Sequence, residues 1–201
     1  MYYVLLYYPK FDRKTEENIK VFRRKYDPFV DSWKPHIPFI FPVPCNEIEE
    51  AKLTEHIETV LKNWKPFPIH IGGFGKSWDR AWLFLLLKKG NEEAIAMHDE
   101  LYAGILSPHL RRDIQYIPHI GIGLFVRKDA GYNFLDPKKI DFDTKLYSQA
   151  LKEAESLKIS SFGTVDRLFL EKVIVKAGAT LHTNALLNDL TKIVSSKEIK
   201  L

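Results

Sequence analysis

The chain has 201 residues, 45% hydrophobic and 28% charged, with a formal net charge of +4 at pH 7 and a pI near 9. That length buries a real core as one domain or two packed lobes, and the single cysteine, Cys45, excludes an internal disulfide and a cysteine-rich zinc site. The basic clusters (Arg23-Arg24-Lys25, Lys88-Lys89, Arg111-Arg112, Lys138-Lys139) are short and scattered, so they read as solvated faces rather than a nucleic-acid footprint.

In chain order, Tyr2 to Tyr8 is aromatic and β-prone, and Pro9 ends it. Met1 leads straight into this strand with no basic n-region or small-residue cleavage site, so a cytoplasmic location is expected. Residues 13–26 mix charges with Ile19, Val21 and Phe22 as an amphipathic helix does, and Asp27-Pro28 closes it. A short buried strand follows at 36–41, stopped by Pro42 and Pro44. Asn46 reads as an N-cap, with Glu47, Glu49 and Glu50 in a first turn where the helix dipole favours them; the helix runs to about 63.

Pro66 and Pro68 announce a strand at 67–74, bent by Gly72, Gly73 and Gly75; residues 80–87 return as a second. Trp78, Asp79 and Arg80, at the tip of this hairpin, read as a solvated turn. The apolar stretch Ala81 to Leu87 is too short to cross a bilayer. A helix at 92–106, a strand at 114–126, a polar loop at 128–143 and a helix at 144–158 come next. Two strands at about 162–170 and 171–177 precede residues 182–201, which read as a terminal helix or a tail. The order predicts one two-lobed α+β domain over 1–201, with duplicated sheets, outer helices and a central cleft.

One string occurs twice. Pro35-His36-Ile37-Pro38-Phe39 lies in the first half of the chain, Pro118-His119-Ile120-Gly121-Ile122 in the second, and each runs into an apolar strand. Side chains alternate along a strand, so His36 shares a face with Pro38 and His119 with Gly121. Each histidine then has a compact neighbour two residues on, leaving room for a ligand beside the ring. Two imidazoles across a cleft form a general acid and a general base. The plainer reading is a pair of satisfied histidines at strand starts. Two histidines without a carboxylate pattern make a thin metal shell, so no metal or other cofactor is expected. His70, in Ile69-His70-Ile71-Gly72, is a partial third copy and reads as structural; His56, His98, His109 and His182 suit packing or surface positions.

These residues resemble the two-histidine (2H) phosphoesterase superfamily, which includes 2′-5′ RNA ligase-like proteins and cyclic phosphodiesterases. Its signature is a pair of His-x-(Ser/Thr)-x motifs, each on a central strand of one lobe; Pro35 to Pro42 and Ile117 to Ile122 look like the two motifs, and the likeness extends in element order over most of residues 1–177. The resemblance implies metal-independent attack on a 2′,3′-cyclic phosphate or a 2′-5′ linkage, with His36 and His119 as catalytic groups. It implies a nucleotide or RNA-end substrate; no membrane partner and a monomer are expected. In the family the third motif position is a hydroxyl that binds phosphate, whereas here it is Pro38 and Gly121. The backbone N–H of Gly121 or Gly123 is a candidate replacement, and Trp33, Tyr116 and Tyr3 are candidates for stacking on a base. The alternative is a non-catalytic binder of nucleotides or RNA ends built on a degenerate site.

Overall fold

The computed structural model describes residues 1–77, 81–126, 142–175 and 191–201. The elements in chain order are β1 (Tyr2–Tyr7), α1 (Arg13–Tyr26), β2 (Ile37–Pro44), α2 (Glu50–Leu61), β3 (Phe67–Lys76), β4 (Trp82–Lys89), α3 (Asn91–Leu101), a 3-10 turn (Gly104–His109), β5 (His119–Leu124), α4 (Thr144–Ser156), β6 (Ser160–Val165), β7 (Arg167–Val175) and β8 (Thr191–Lys200).

The strands form two four-stranded antiparallel sheets, ordered β2-β1-β7-β8 and β5-β4-β3-β6. The units β1-α1-β2 and β4-α3-β5 occupy equivalent places: in each, the second strand lies outermost, beside the first. This is the duplicated, two-lobed α+β architecture that the repeated string predicts. The histidine strands are outer strands of their sheets rather than central ones.

Local chemistry sets the boundaries. Asp12 caps α1 by accepting from the backbone N–H of Lys14 and Thr15, both at 3.0 Å, and Arg23, Arg24 and Lys25 oppose the negative end of its dipole. α2 starts at Glu50 with Glu49 at the cap, later than the expected Asn46, because the backbone first turns with Glu47 N–H donating to the Pro44 carbonyl. β2 continues past its expected end at Phe41 through Pro42 and Pro44; among the described residues only β1 pairs with it, so its other side has no ladder for the prolines to break. The expected strand at 114–126 shortens to β5, which starts just after Pro118. α3 ends at Leu101, ahead of the 3-10 turn.

The C-terminal segment corrects the expectation of a helix or tail over 182–201. Residues 191–200 form β8, paired along the whole of β7 from Arg167↔Lys200 to Val175↔Thr191. β-Branched Ile193, Val194 and Ile199 suit a pleated edge. The rest of that stretch, the tip residues Trp78, Asp79 and Arg80, and the loop at 128–141 lie outside the described residues. Among the described residues no helix is long and apolar enough to cross a membrane.

One face of each sheet packs on the helices. Tyr3, Leu5 and Tyr7 of β1, Ile69 and Ile71 of β3, and Leu83 and Leu85 of β4 share a core with Phe22, Leu53, Ile57, Met97 and Ala150 from the four helices. The Leu, Ile, Phe and Met side chains among these, fully buried, contribute about 1.5–3 kcal/mol each. On the other face, Val4, Leu6 and Val173 pack with Tyr8 and Trp33, while Phe29, Ala81, Leu124 and Val126 pack with Trp33 and Trp82. Trp33 belongs to both groups, so the loop between α1 and β2 is wedged between the sheets.

Candidate active site

β2 and β5 meet where the two sheets adjoin. The Tyr116 hydroxyl, on the approach to β5, donates to the Pro38 carbonyl of β2 at 2.8 Å. This bond ties one histidine motif to the other. His36 is the residue before β2 and His119 the first residue of β5. On the other side, the buried Arg23–Asp27 pair at 2.7 Å anchors the loop leading to His36, and Asp27 also accepts from the Phe29 N–H at 2.9 Å.

The two rings are held in the same way. His36 Nδ1 lies 2.7 Å from the Lys34 carbonyl, and His119 Nδ1 lies 2.5 Å from the Ile117 carbonyl. A carbonyl oxygen only accepts, so in each ring Nδ1 carries the hydrogen and donates to the residue two positions back. Nε2 is then the titrating atom of both rings, a lone pair when the ring is neutral and an N–H donor when it is charged.

The walls differ. His36 sits among aromatic edges, with ring centroids 5.2 Å from Trp33 and 6.1 Å from Tyr8. His119 stacks on Phe84 at 3.5 Å with planes 22° apart. Beside His119, a Cβ added to Gly121 would stand 3.2 Å from the Trp82 ring. That contact is tight, so the Trp82 ring crowds the position where a motif hydroxyl would start. On the His36 side the Pro38 carbonyl is engaged by Tyr116, and proline has no N–H to offer.

Burial pushes both imidazoles down to about 4. Desolvation is the largest cause for each, and the carbonyl bond at Nδ1 opposes it in part. Positive charge on Arg23 lowers His36 further, and positive charge on His36 lowers His119. The two rings therefore feel each other, and above pH 5 both are neutral bases. An anion between them reverses the balance, because negative charge favours the protonated ring.

The structure sorts the remaining sequence candidates. Trp33 stands beside His36. Tyr116 is buried, stacked on His98 at 3.8 Å, and serves as the tie to β2 rather than as a face open to a base. Tyr3 is corrected: it points to the helix side of β1, 4% exposed, with its hydroxyl 3.3 Å from Glu50 of α2. Gly123 is buried, and a Cβ there would stand 2.8 Å from the Phe125 ring, so the absence of a side chain serves close packing. Tyr8 and Phe84 also border the two rings; alternation along β1 and β4, counted from the helix-facing positions, is the signal that finds them. His70 is not beside the two rings; it hydrogen-bonds Ser160 Oγ at 2.8 Å. Among the described residues no group of three or more His, Cys, Asp or Glu side chains could hold a metal ion.

Comparison with known proteins agrees with this fold. A "putative phosphoesterase" of Bacillus licheniformis is 21% identical over 140 residues, covering 70% of this chain and 80% of its own. One of Bacillus pumilus is 22% identical over the same shares. Among solved structures, E. coli LigT complexed with 3′-AMP superposes with a TM-score of 0.53 at 12% identity, covering all of both chains. A crystal structure of a phosphoesterase gives 0.54 at 12% identity, covering all of this chain and 98% of the other. Residues 11–169 match the 2′-5′ RNA ligase superfamily, a span that holds both histidine motifs, and the chain belongs to that family.

Proposed function

We propose that the protein cleaves a phosphodiester at a nucleotide or RNA end, a 2′,3′-cyclic phosphate or a 2′-5′ linkage, by general acid–base catalysis between His36 and His119. The observation that carries this reading is the matched tethering of the rings. Two Nδ1–H groups bound to carbonyls leave two Nε2 atoms as the exchangeable proton sites. Phosphoesterase relatives in the same family support it.

In ring opening of a cyclic phosphate, water attacks phosphorus and gives its proton to one neutral Nε2. The ribose oxygen leaves and takes a proton from the other, charged Nε2. The protonated ring also offsets charge growing on the phosphoryl oxygens. Each transfer contributes about 10² to 10⁴ in rate. Because both rings are neutral near pH 7, the acid takes up its proton from solvent as the anionic substrate binds. The chemistry uses groups of one chain, which fits a monomer, and it needs no metal, so turnover persists in EDTA.

The test is turnover of a 2′,3′-cyclic mononucleotide by the wild type and by His36→Ala and His119→Ala. Each substitution is expected to lower kcat/KM by about 10² to 10⁴. A double variant as active as the wild type would refute the reading. One observation favours a second reading, that of a binder without turnover: neither motif supplies its hydroxyl. A hydrogen bond to a charged group contributes about 1.5–3 kcal/mol, so two uncompensated losses would cost on the order of 10² to 10⁴ in rate. Saturable affinity for the cyclic nucleotide with no product formed would select that reading.

A further inference from the structure

The face of the second sheet that carries His119 continues beyond the site. Register places Leu86 of β4 opposite His119, and Phe84 opposite Gly121. Across β3 the same face shows Gly75, then Gly72, then His70, whose neighbour on β6 is Phe162. The alternate residues Leu83, Leu85, Ile69 and Ile71 all point into the helix-packed core. His119 and Phe162 therefore lie on one surface, at its two outer strands. Three strand spacings separate them, about 14 Å.

A lone exposed apolar side chain is ordinary, but Phe162 is built into something more. It is 74% exposed, on an edge strand where a flat aromatic invites unwanted pairing. Its ring is parallel to His70, 8° apart in plane with centroids 4.3 Å apart, and the Ser160 hydroxyl bond fixes the His70 ring beneath it. Between this pair and His119 lie Gly72 and Gly73 of β3 and the half-buried Leu86 of β4, whose side chain covers Gly75. Lys88 extends over that gap: a Cβ on Gly73 would stand 3.0 Å from its Cε. An exposed aromatic face and an exposed cation thus lie on the same side of the sheet as His119.

We propose that this surface is a track for single-stranded RNA. A base beyond the reacting phosphate stacks on Phe162, supported by His70, and Lys88 meets the intervening phosphate. Aromatic stacking with a basic path is how sheet surfaces take single strands without sequence preference. The inference rests on the phosphodiester reading and adds to it that the substrate is an oligonucleotide rather than a mononucleotide.

The experiment compares kcat/KM for a 2′,3′-cyclic mononucleotide with that for a six-nucleotide RNA ending in the same group. In the wild type the oligonucleotide is preferred. Phe162→Ala is expected to lower the ratio about tenfold, and Phe162→Trp to keep it. Lys88→Ala reduces the salt dependence of oligonucleotide binding by about one counterion. A ratio unchanged in Phe162→Ala overturns the proposal. If the wild type turns over neither substrate, the phosphodiester reading fails on its own. Fluorescence anisotropy with the labelled RNA then decides the track: a tenfold loss of affinity in Phe162→Ala supports it, and equal affinities sink it.

Discussion

The two histidine strands carry the same ring tether in different surroundings. His36 follows a loop wedged between the sheets, pinned by a buried ion pair at its start and bordered by the edges of Trp33 and Tyr8. His119 opens a strand and lies flat on Phe84, with the Trp82 ring closing the space above Gly121. What the two regions share is the carbonyl two residues back that fixes Nδ1; what differs is everything that holds the ring from the side. The shared part sets the proton chemistry, and the different parts set stability and access.

The largest expected effect tests the shared part. His36→Ala and His119→Ala should lose similar activity, and the double variant little more than either, because groups acting as a unit are not additive. The next effect belongs to the first region alone. Asp27→Ala leaves Arg23 buried without its partner and should lower stability by about 3–5 kcal/mol in urea denaturation. The second region answers to crowding. Gly121→Thr restores a hydroxyl but drives a side chain against Trp82, a cost of about 1–3 kcal/mol, and a second substitution, Trp82→Leu, should recover much of it. Smallest is Tyr116→Phe, which removes the tie between the motifs at about 1 kcal/mol.

The pH dependence acts on both regions at once. Each ring sits at about 4 in the folded protein against about 6.5 unfolded, so the unfolded chain binds more protons between those values. Stability from the neutral rings is complete above pH 6.5 and is lost as pH falls through 4. Activity moves the other way. kcat/KM reports the free protein, which needs one ring charged, so it should rise as pH falls from 7 toward 5. Urea midpoints and kcat/KM measured over the same pH range should therefore show opposite slopes, and replacing both histidines by Gln should flatten the first.

Much of this was legible in the sequence where a local cause acts. α1 has its predicted limits because Asp12 caps it and Asp27-Pro28 stops it. The paired histidine strands follow from a string repeated in both halves. Features decided by partners were not legible. Pro42 and Pro44 look like a strand end until β2 is known to be an outer strand. β8 is a strand because β7 lies beside it, and its own residues left helix open. Tyr3 and Tyr8 are equally aromatic; only the face each strand turns to the helices sends one to the core and the other to His36.

The most direct test of two rings converging on one anion is nitrogen-15 NMR of His36 and His119 during titration with inorganic phosphate at pH 7. The geometry predicts that both rings start as the Nδ1–H tautomer with bare Nε2, and that both Nε2 signals shift together, toward protonation, with one binding constant. An Nε2–H tautomer in either ring, or phosphate that moves one histidine and leaves the other untouched, would contradict it.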